Sequence, residues 1–466
     1  TAPGYQWEIF LLTHWFQVYF PRASSHPTDG KLKNRVVQDF ERCAGSNNQC
    51  EDKDSENLQL EKSEACYSCC CSSLLFIKVM DPCFSCLGFI LFISCVRAQF
   101  HPAEPCDPAK CLPPNCRCSD DRKPPGGLTP EKTPQIIMVT FDDDLEKQYY
   151  DLYNELFDGV SNPNGCPAVG TLFVSHNYTD YFLVESAYSR GYEIADHTVT
   201  HQEPTTYWEQ ADYTTWKNEI DGQKEILHRF GNIPYGAIRG FRAPFLMFTE
   251  NMFKVLYISK FTYDLSWPAN IRFDGRGPMY PYTLDYKSTQ VCPTSQQPCP
   301  KMSYPGLWEI PNVNLMNKDH TTCGSMMDAC DPNGNETVWY DILVRNFHYH
   351  YDTNRAPFGM HMHPSYFYWG PSGDHMNAAK KFLKYAQDLS DVWILTGSQV
   401  IAWMKDPQDI AQAKSFPPWM CPTRSPPRCT DSTANDCHYT KPQDFYMKTC
   451  TKCPPHFPSP TDPDGN

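Results

Sequence analysis

Two histidines four residues apart, His197 and His201, stand in the run His-Thr-Val-Thr-His. On a helical turn that spacing aims both imidazoles one way, which suits a Zn2+-like ion. The run is not the HExxH motif of metalloproteases, because Thr198 stands where the glutamate would be. A general base must then come from elsewhere. Thr140-Phe141-Asp142-Asp143 supplies two adjacent carboxylates. One can bind a metal while its neighbour accepts a proton. With Asp143 as third ligand the set becomes two imidazoles and one carboxylate, and it keeps positions for water and substrate. Asp142 is then available as base. The plainer reading of the acidic run is a turn or helix N-cap, a place that Asp144 would suit.

Three further motifs carry polar groups. Phe241-Arg242-Ala243-Pro244-Phe245 puts a guanidinium on a rigid turn, where it can hold a catalytic carboxylate by a bidentate contact and keep it ionised. Asp264-Leu265-Ser266-Trp267 joins a carboxylate to a large aromatic that serves either the core or a sugar platform. Gly359-Met360-His361-Met362-His363 offers two more imidazoles, one of which can be a general acid kept protonated by Asp264.

These groups act together only if the backbone brings them to one face. The apolar, β-branched run Gln135–Phe141 reads as a buried strand. Tyr149, Leu152, Tyr153, Leu156 and Phe157 then recur at helical spacing. Further strands are expected at Ala168–Ser175, Tyr192–Ala195, Phe261–Leu265, Leu307–Pro311, Phe358–His363 and Val392–Thr396. Helices are expected between them, the longest at Tyr213–Phe230. Such alternation implies parallel pairing through right-handed crossovers. About seven strands predict an α/β fold, a closed or distorted (β/α)7-type barrel, with an open doubly wound sheet as the alternative. In a barrel the loops after the strands form the active face, so the five motifs converge there.

Bulk composition sets the surroundings. The 466 residues suffice for one large domain with extensions or for two ordinary ones. A net charge of -14 argues against a nucleic-acid partner, which needs clustered Lys and Arg. The 23 cysteines and 42 prolines point to an oxidising compartment. The apolar run Leu87–Val96 follows Met80 and precedes a small-residue site at Val96-Arg97-Ala98, so residues 80–98 read as a signal peptide. Residues 1–79 then read as an upstream gene-model extension or as disordered. Fourteen cysteines follow Ala98 and imply a disulfide framework. The segments 99–134 and 406–466 are Cys/Pro-rich and flank a catalytic domain at 135–405. Sequons at Asn177 and Asn335 agree with export. A secreted monomer is expected, with no membrane contact after signal cleavage.

With its motifs in this order, the chain resembles carbohydrate esterase family 4, the polysaccharide deacetylases, and most closely the insect chitin deacetylases. The motifs are TFDD at 140–143, HTVTH at 197–201, RGFRAPF at 239–245, DLSW at 264–267 and FGMHMH at 358–363. The segments CDPAKCLPPNCRCSDD and FPPWMCP look like the insect branch. The resemblance implies a zinc ion, or another divalent metal, on Asp143, His197 and His201. It implies Asp142 as base, Arg242 orienting it, His363 as acid, Asp264 tuning that acid, the Phe245 N–H at the oxyanion and Trp267 in the acetyl pocket. The implied substrate is chitin or its oligosaccharides. Two departures stand out: Asp144 replaces an alanine typical of the insect relatives, and His361 replaces an apolar pocket residue. No chitin-binding module is recognised, as in the shorter insect forms. The alternatives are a catalytically weak chitin-binding protein on this scaffold or a deacetylase of another N-acetylated glycan.

Overall fold

The computed structural model describes residues 100–271, 275–292, 297–330, 333–368, 373–441 and 443–466. The expected signal peptide and the segment before it lie outside the described residues. The central strand β1 (Gln135–Asp143) is the apolar run expected from sequence, and eight of its nine residues are buried. Strands covered on both faces read as near-continuous apolar runs for this reason. Around β1 lie β2 (Thr171–Val174), β3 (Glu193–Asp196), β4 (Gly240–Phe241), β5 (Tyr263–Asp264) and, beyond two residues at β6 (Pro268–Ala269), β7 (Tyr282–Leu284) and β8 (Tyr304–Glu309). Then come β9 (Asn312–Val313), β10 (Phe358–Met362) and β11 (Val392–Ile394).

The sheet runs β10-β1-β2-β3-β4-β5-β8-β7, with β11 also on β1. All of its pairings are parallel except β7 with β8. Helices such as Lys147–Phe157, Tyr181–Ser189 and Tyr213–Phe230 follow the strands and cover the outside. The sheet is curled into a distorted barrel, with β7 as an antiparallel edge and β6–β9 as a separate parallel pair.

Alternation along the strands sorts the core in two. Ile137, Val139 and Phe141 of β1 and Phe358, Met360 and Met362 of β10 pack outward with the helices. Ile136 and Met138 pack with Phe173, Tyr263, Leu265, Trp308 and Trp393 in the interior. By the same period of two, Thr140, Asp142, Gly359, His361 and His363 belong to the inner face. The register runs Asp143–Val174, Val174–Asp196, Asp196–Phe241, Phe241–Asp264 and Asp264–Glu309, so the strands end at one level. Every motif therefore leaves the barrel at the same mouth.

Differences from the sequence expectation concern short elements. β4, β6 and β9 are two residues each and owe their existence to partners, not to local propensity. The tail holds a hairpin, β12 (Asn435–Tyr439) with β13 (Phe445–Thr449), stapled by Cys429–Cys450 and Cys437–Cys453. The fourteen cysteines form seven disulfides, and Cys166–Cys421 ties the tail to the loop before β2. Among the described residues no helix is long and apolar enough to cross a membrane.

Candidate active site

Asp142 and Asp143 end β1, and strand alternation would send them to opposite faces. The backbone breaks the alternation at Asp143, whose φ is 82°. That left-handed conformation is uncommon outside glycine, and Asp tolerates it better than most residues. The result is one buried inward carboxylate, Asp142, beside a half-exposed one, Asp143.

The two histidines are not on a helical turn. The segment His197–His201 is an irregular loop with φ of 69° at Thr198 and 44° at His201. Two carboxylates hold it. Asp196 accepts from the Thr198 N–H at 2.9 Å. Glu219, fully buried on the helix Tyr213–Phe230, accepts from the N–H groups of Val199 and Thr200 at 3.1 and 2.9 Å and from the Thr200 hydroxyl at 2.7 Å. Glu219 was missed in the sequence because nothing local marks it; it reads as one polar residue of an amphipathic helix.

The loop brings His197 Nε2 and His201 Nε2 to 3.5 and 3.4 Å from Asp143 Oδ1. That oxygen is buried and has no hydrogen-bond partner. His197 Nδ1 lies 2.7 Å from the Arg242 carbonyl, so it carries the proton and leaves Nε2 with a lone pair. Burial and the neighbouring His197 push His201 down to about 4, which keeps it neutral near pH 7. Asp143 is held well below the usual carboxylate range: burial opposes this, but His197, His363 and His201 outweigh it. A carboxylate and two imidazoles whose donor atoms all lie within 4.8 Å of one another fit a divalent transition metal.

Arg242 is completely buried and reaches Asp142 Oδ1 through Nη1 at 2.5 Å. The contact uses one guanidinium nitrogen, not the bidentate fork expected. Nε donates to the Leu265 carbonyl at 3.0 Å and Nη1 also to Thr140 Oγ1 at 3.0 Å, while the buried Nη2 has no hydrogen-bond partner. Arg239, its motif partner, is exposed and donates to the Gly236 carbonyl.

His363 faces the cluster, with Nε2 3.8 Å from Asp143 Oδ2. Its partner is not Asp264. The Nδ1 side pairs with Asp328, which also accepts the His363 backbone N–H at 3.2 Å. Asp328 sits in a short 3-10 turn, Met327–Ala329, inside the loop closed by Cys323–Cys330. Asp264 points away from His363 for a simple reason. Its neighbours Tyr263 and Leu265 face the barrel interior, so alternation turns Asp264 to the other side of the sheet. There it accepts from Ser266 Oγ at 2.6 Å, and Ser266 Oγ accepts from the Ala243 N–H at 2.7 Å. Burial pushes Asp264 up to about 6 and raises Glu309 well above the ordinary carboxyl range. Asp264 thus fixes the turn that carries Arg242 and Phe245.

Phe245 has φ 55° in the 3-10 turn Pro244–Leu246, and its exposed ring stands 4.7 Å from His201. As the second residue of that turn, its N–H lacks a partner within the turn. Trp267 has no exposed surface: Nε1 donates to the Val291 carbonyl at 3.1 Å and the ring packs on Phe248 at 5.0 Å. It backs the wall and offers no platform. Asp144 does not cap the following helix, whose N-cap is Glu146. Burial and Glu146 push Asp144 up to about 7. Asn177 is half-buried and within 3.4 Å of the Thr200 carbonyl, while exposed Asn335 caps the helix Glu336–Tyr351.

Comparison with known proteins now gives this geometry a family. Residues 129–263 match the polysaccharide deacetylase domain. The chain is 35% identical over 376 residues to chitin deacetylase 8 of Bombyx mori, an alignment covering 80% of this chain and 96% of that protein. It is 32% identical over 380 residues to chitin deacetylase 1 of the same species, covering 78% and 69%. A putative polysaccharide deacetylase structure from Mycobacterium smegmatis aligns with TM-score 0.38 at 17% identity over 70% of this chain and all of that one. The chain belongs to the polysaccharide deacetylase family.

Proposed function

We propose that this chain hydrolyses the N-acetyl groups of N-acetylglucosamine units in chitin, releasing acetate and leaving a chitosan-like product. The observation that carries the reading is one mouth holding a buried, arginine-bound Asp142, the Asp143–His197–His201 donor set and, across from them, His363 paired with Asp328. Zinc on Asp143, His197 and His201 would polarise the acetyl carbonyl and lower the pKa of a bound water.

The protein's own groups do the rest. Asp142 accepts the proton of the attacking water. Arg242, locked by Leu265 and Thr140, keeps the carboxylate aimed. The Phe245 N–H donates to the oxygen on which charge develops. His363 delivers a proton to the departing amine, and Asp328 holds it in place through Nδ1. Among the described residues, exposed Phe245, Tyr178 and Tyr368 on the loops around the mouth are aromatics that can stack on sugar rings. The seven disulfides and the relatives fit a secreted protein, expected to work as a monomer.

The test is acetate release from soluble chitin oligosaccharides by the full chain, before and after chelation. Loss on chelation with recovery on added zinc is the expected result. A metal-loaded, folded chain that releases no acetate from any chitin oligosaccharide would overturn the substrate.

A further inference from the structure

The proposed chemistry leaves a buried imidazole, His361, without a task. It is only 2% exposed and lies directly opposite Thr140 in the β1–β10 register. Its Nδ1 is 2.8 Å from Thr140 Oγ1, the oxygen on which Arg242 Nη1 donates at 3.0 Å while also donating to Asp142 at 2.5 Å.

A hydroxyl carries one proton. Thr140 Oγ1 accepts from Arg242 and has its own proton to give, and an unprotonated His361 Nδ1 is in place to accept it. The imidazole is then neutral, with its proton on Nε2. Burial and the nearby Arg242 cation both oppose protonation. Space is matched to this ring: a Cβ on Gly359 would come within 2.0 Å of His361 Nε2. The guanidinium has little freedom left, since it also packs 4.4 Å from the centre of the Phe173 ring.

We propose that His361 and Thr140 are positioning residues that act through Arg242 to aim the Asp142 carboxylate. A hydrogen-bonded line runs inside the barrel from His361 to Thr140 to Arg242 to Asp142. This rests on the reading of Asp142 as the base. Both side chains are almost wholly buried, His361 at 2% and Thr140 at 1% exposure.

Two measurements test it on the zinc-loaded full chain. The first is kcat and KM for acetate release from a soluble chitin oligosaccharide. Thr140→Val keeps the shape and removes the hydroxyl; kcat should fall on the order of 10- to 100-fold, the usual effect of slight misplacement, with KM and zinc content within about twofold. Thr140→Ser should recover most of kcat. His361→Leu should resemble Thr140→Val, and His361→Asn, whose amide oxygen can accept, should lie nearer wild type. Unchanged kcat in Thr140→Val and His361→Leu overturns the proposal, as does a Thr140→Ser as slow as the valine variant. The second is imidazole nitrogen NMR of the wild-type chain, with His361→Asn assigning the signal. A neutral His361 protonated at Nε2 across about pH 5 to 8 is expected. A proton on Nδ1, or a cationic ring, overturns the line whatever the variants do. An inactive wild type with the expected His361 signal would refute the chitin reading while leaving the hydrogen-bonded line standing.

Discussion

At the scale of single residues the site separates two tasks that the sequence places side by side. Asp142 and Asp143 are neighbours, yet one is bound by arginine and the other faces two imidazoles. His363 shows how a partner sets a proton. Burial alone would lower its pKa, but Asp328, Asp143 and Asp142 raise it to about 9. A histidine raised in this way is protonated below the raised value and loses its proton as pH climbs through it. The acid form is therefore present at neutral pH, and activity should fall on an alkaline limb near that value. Asp328→Asn removes the nearest charge, so the limb in kcat/KM should move down by about one to three units. An unmoved limb would mean that Asp328 serves only the loop.

At the scale of elements, the site depends on loops held from behind. The His197–His201 loop has two left-handed residues and is tied to Glu219 by three hydrogen bonds. Glu219→Gln should weaken zinc binding by about 10- to 100-fold, as removal of an orienting group commonly does, while the helix beneath stays folded. Equal zinc affinity in a competition titration would show that the loop holds its own shape. Long, buried elements were legible in the sequence. The apolar run of β1 and the periodic helix Tyr213–Phe230 appear where expected. The two-residue strands β4, β6 and β9 were not legible, since pairing alone defines them, whereas β5 lies inside the strand expected at Phe261–Leu265. The Asp264 assignment erred although the signal was available: Tyr263 and Leu265 are apolar neighbours facing inward, and period two turns Asp264 away. Asp328 lacked any signal, because it reaches His363 from a disulfide-closed loop 35 residues upstream. Sequence spacing also misplaced the histidine pair, which a loop rather than a helical turn brings together.

At the scale of the whole molecule, the tail and the rim set what the barrel can hold. The tail is fastened by Cys166–Cys421, by Arg424 on the carbonyls of Tyr188 and Tyr192, and by Arg428 on Glu185. The Tyr-rich segment Met279–Tyr286 buries Tyr280 and Tyr282 and packs Tyr286 on the N-terminal cluster of disulfide-bonded cysteines. Among the described residues, the exposed rings around the mouth are Tyr178, Phe245 and Tyr368. Those rings suit a single chain end or loop better than a packed crystal face. Soluble oligosaccharides should release acetate much faster than untreated crystalline chitin at equal acetyl content; equal initial rates would show a grip on the solid that these rings do not explain. The central claim is that Asp142 is the base of a metal-dependent deacetylase while Asp143 holds the metal. Asp142→Asn tests it most directly, with acetate release and zinc per chain measured on the same sample. The account predicts a rate lower by about two to four orders of magnitude, the usual worth of a general base, with zinc near one per chain. A variant that keeps its rate, or one that loses its zinc, would contradict it.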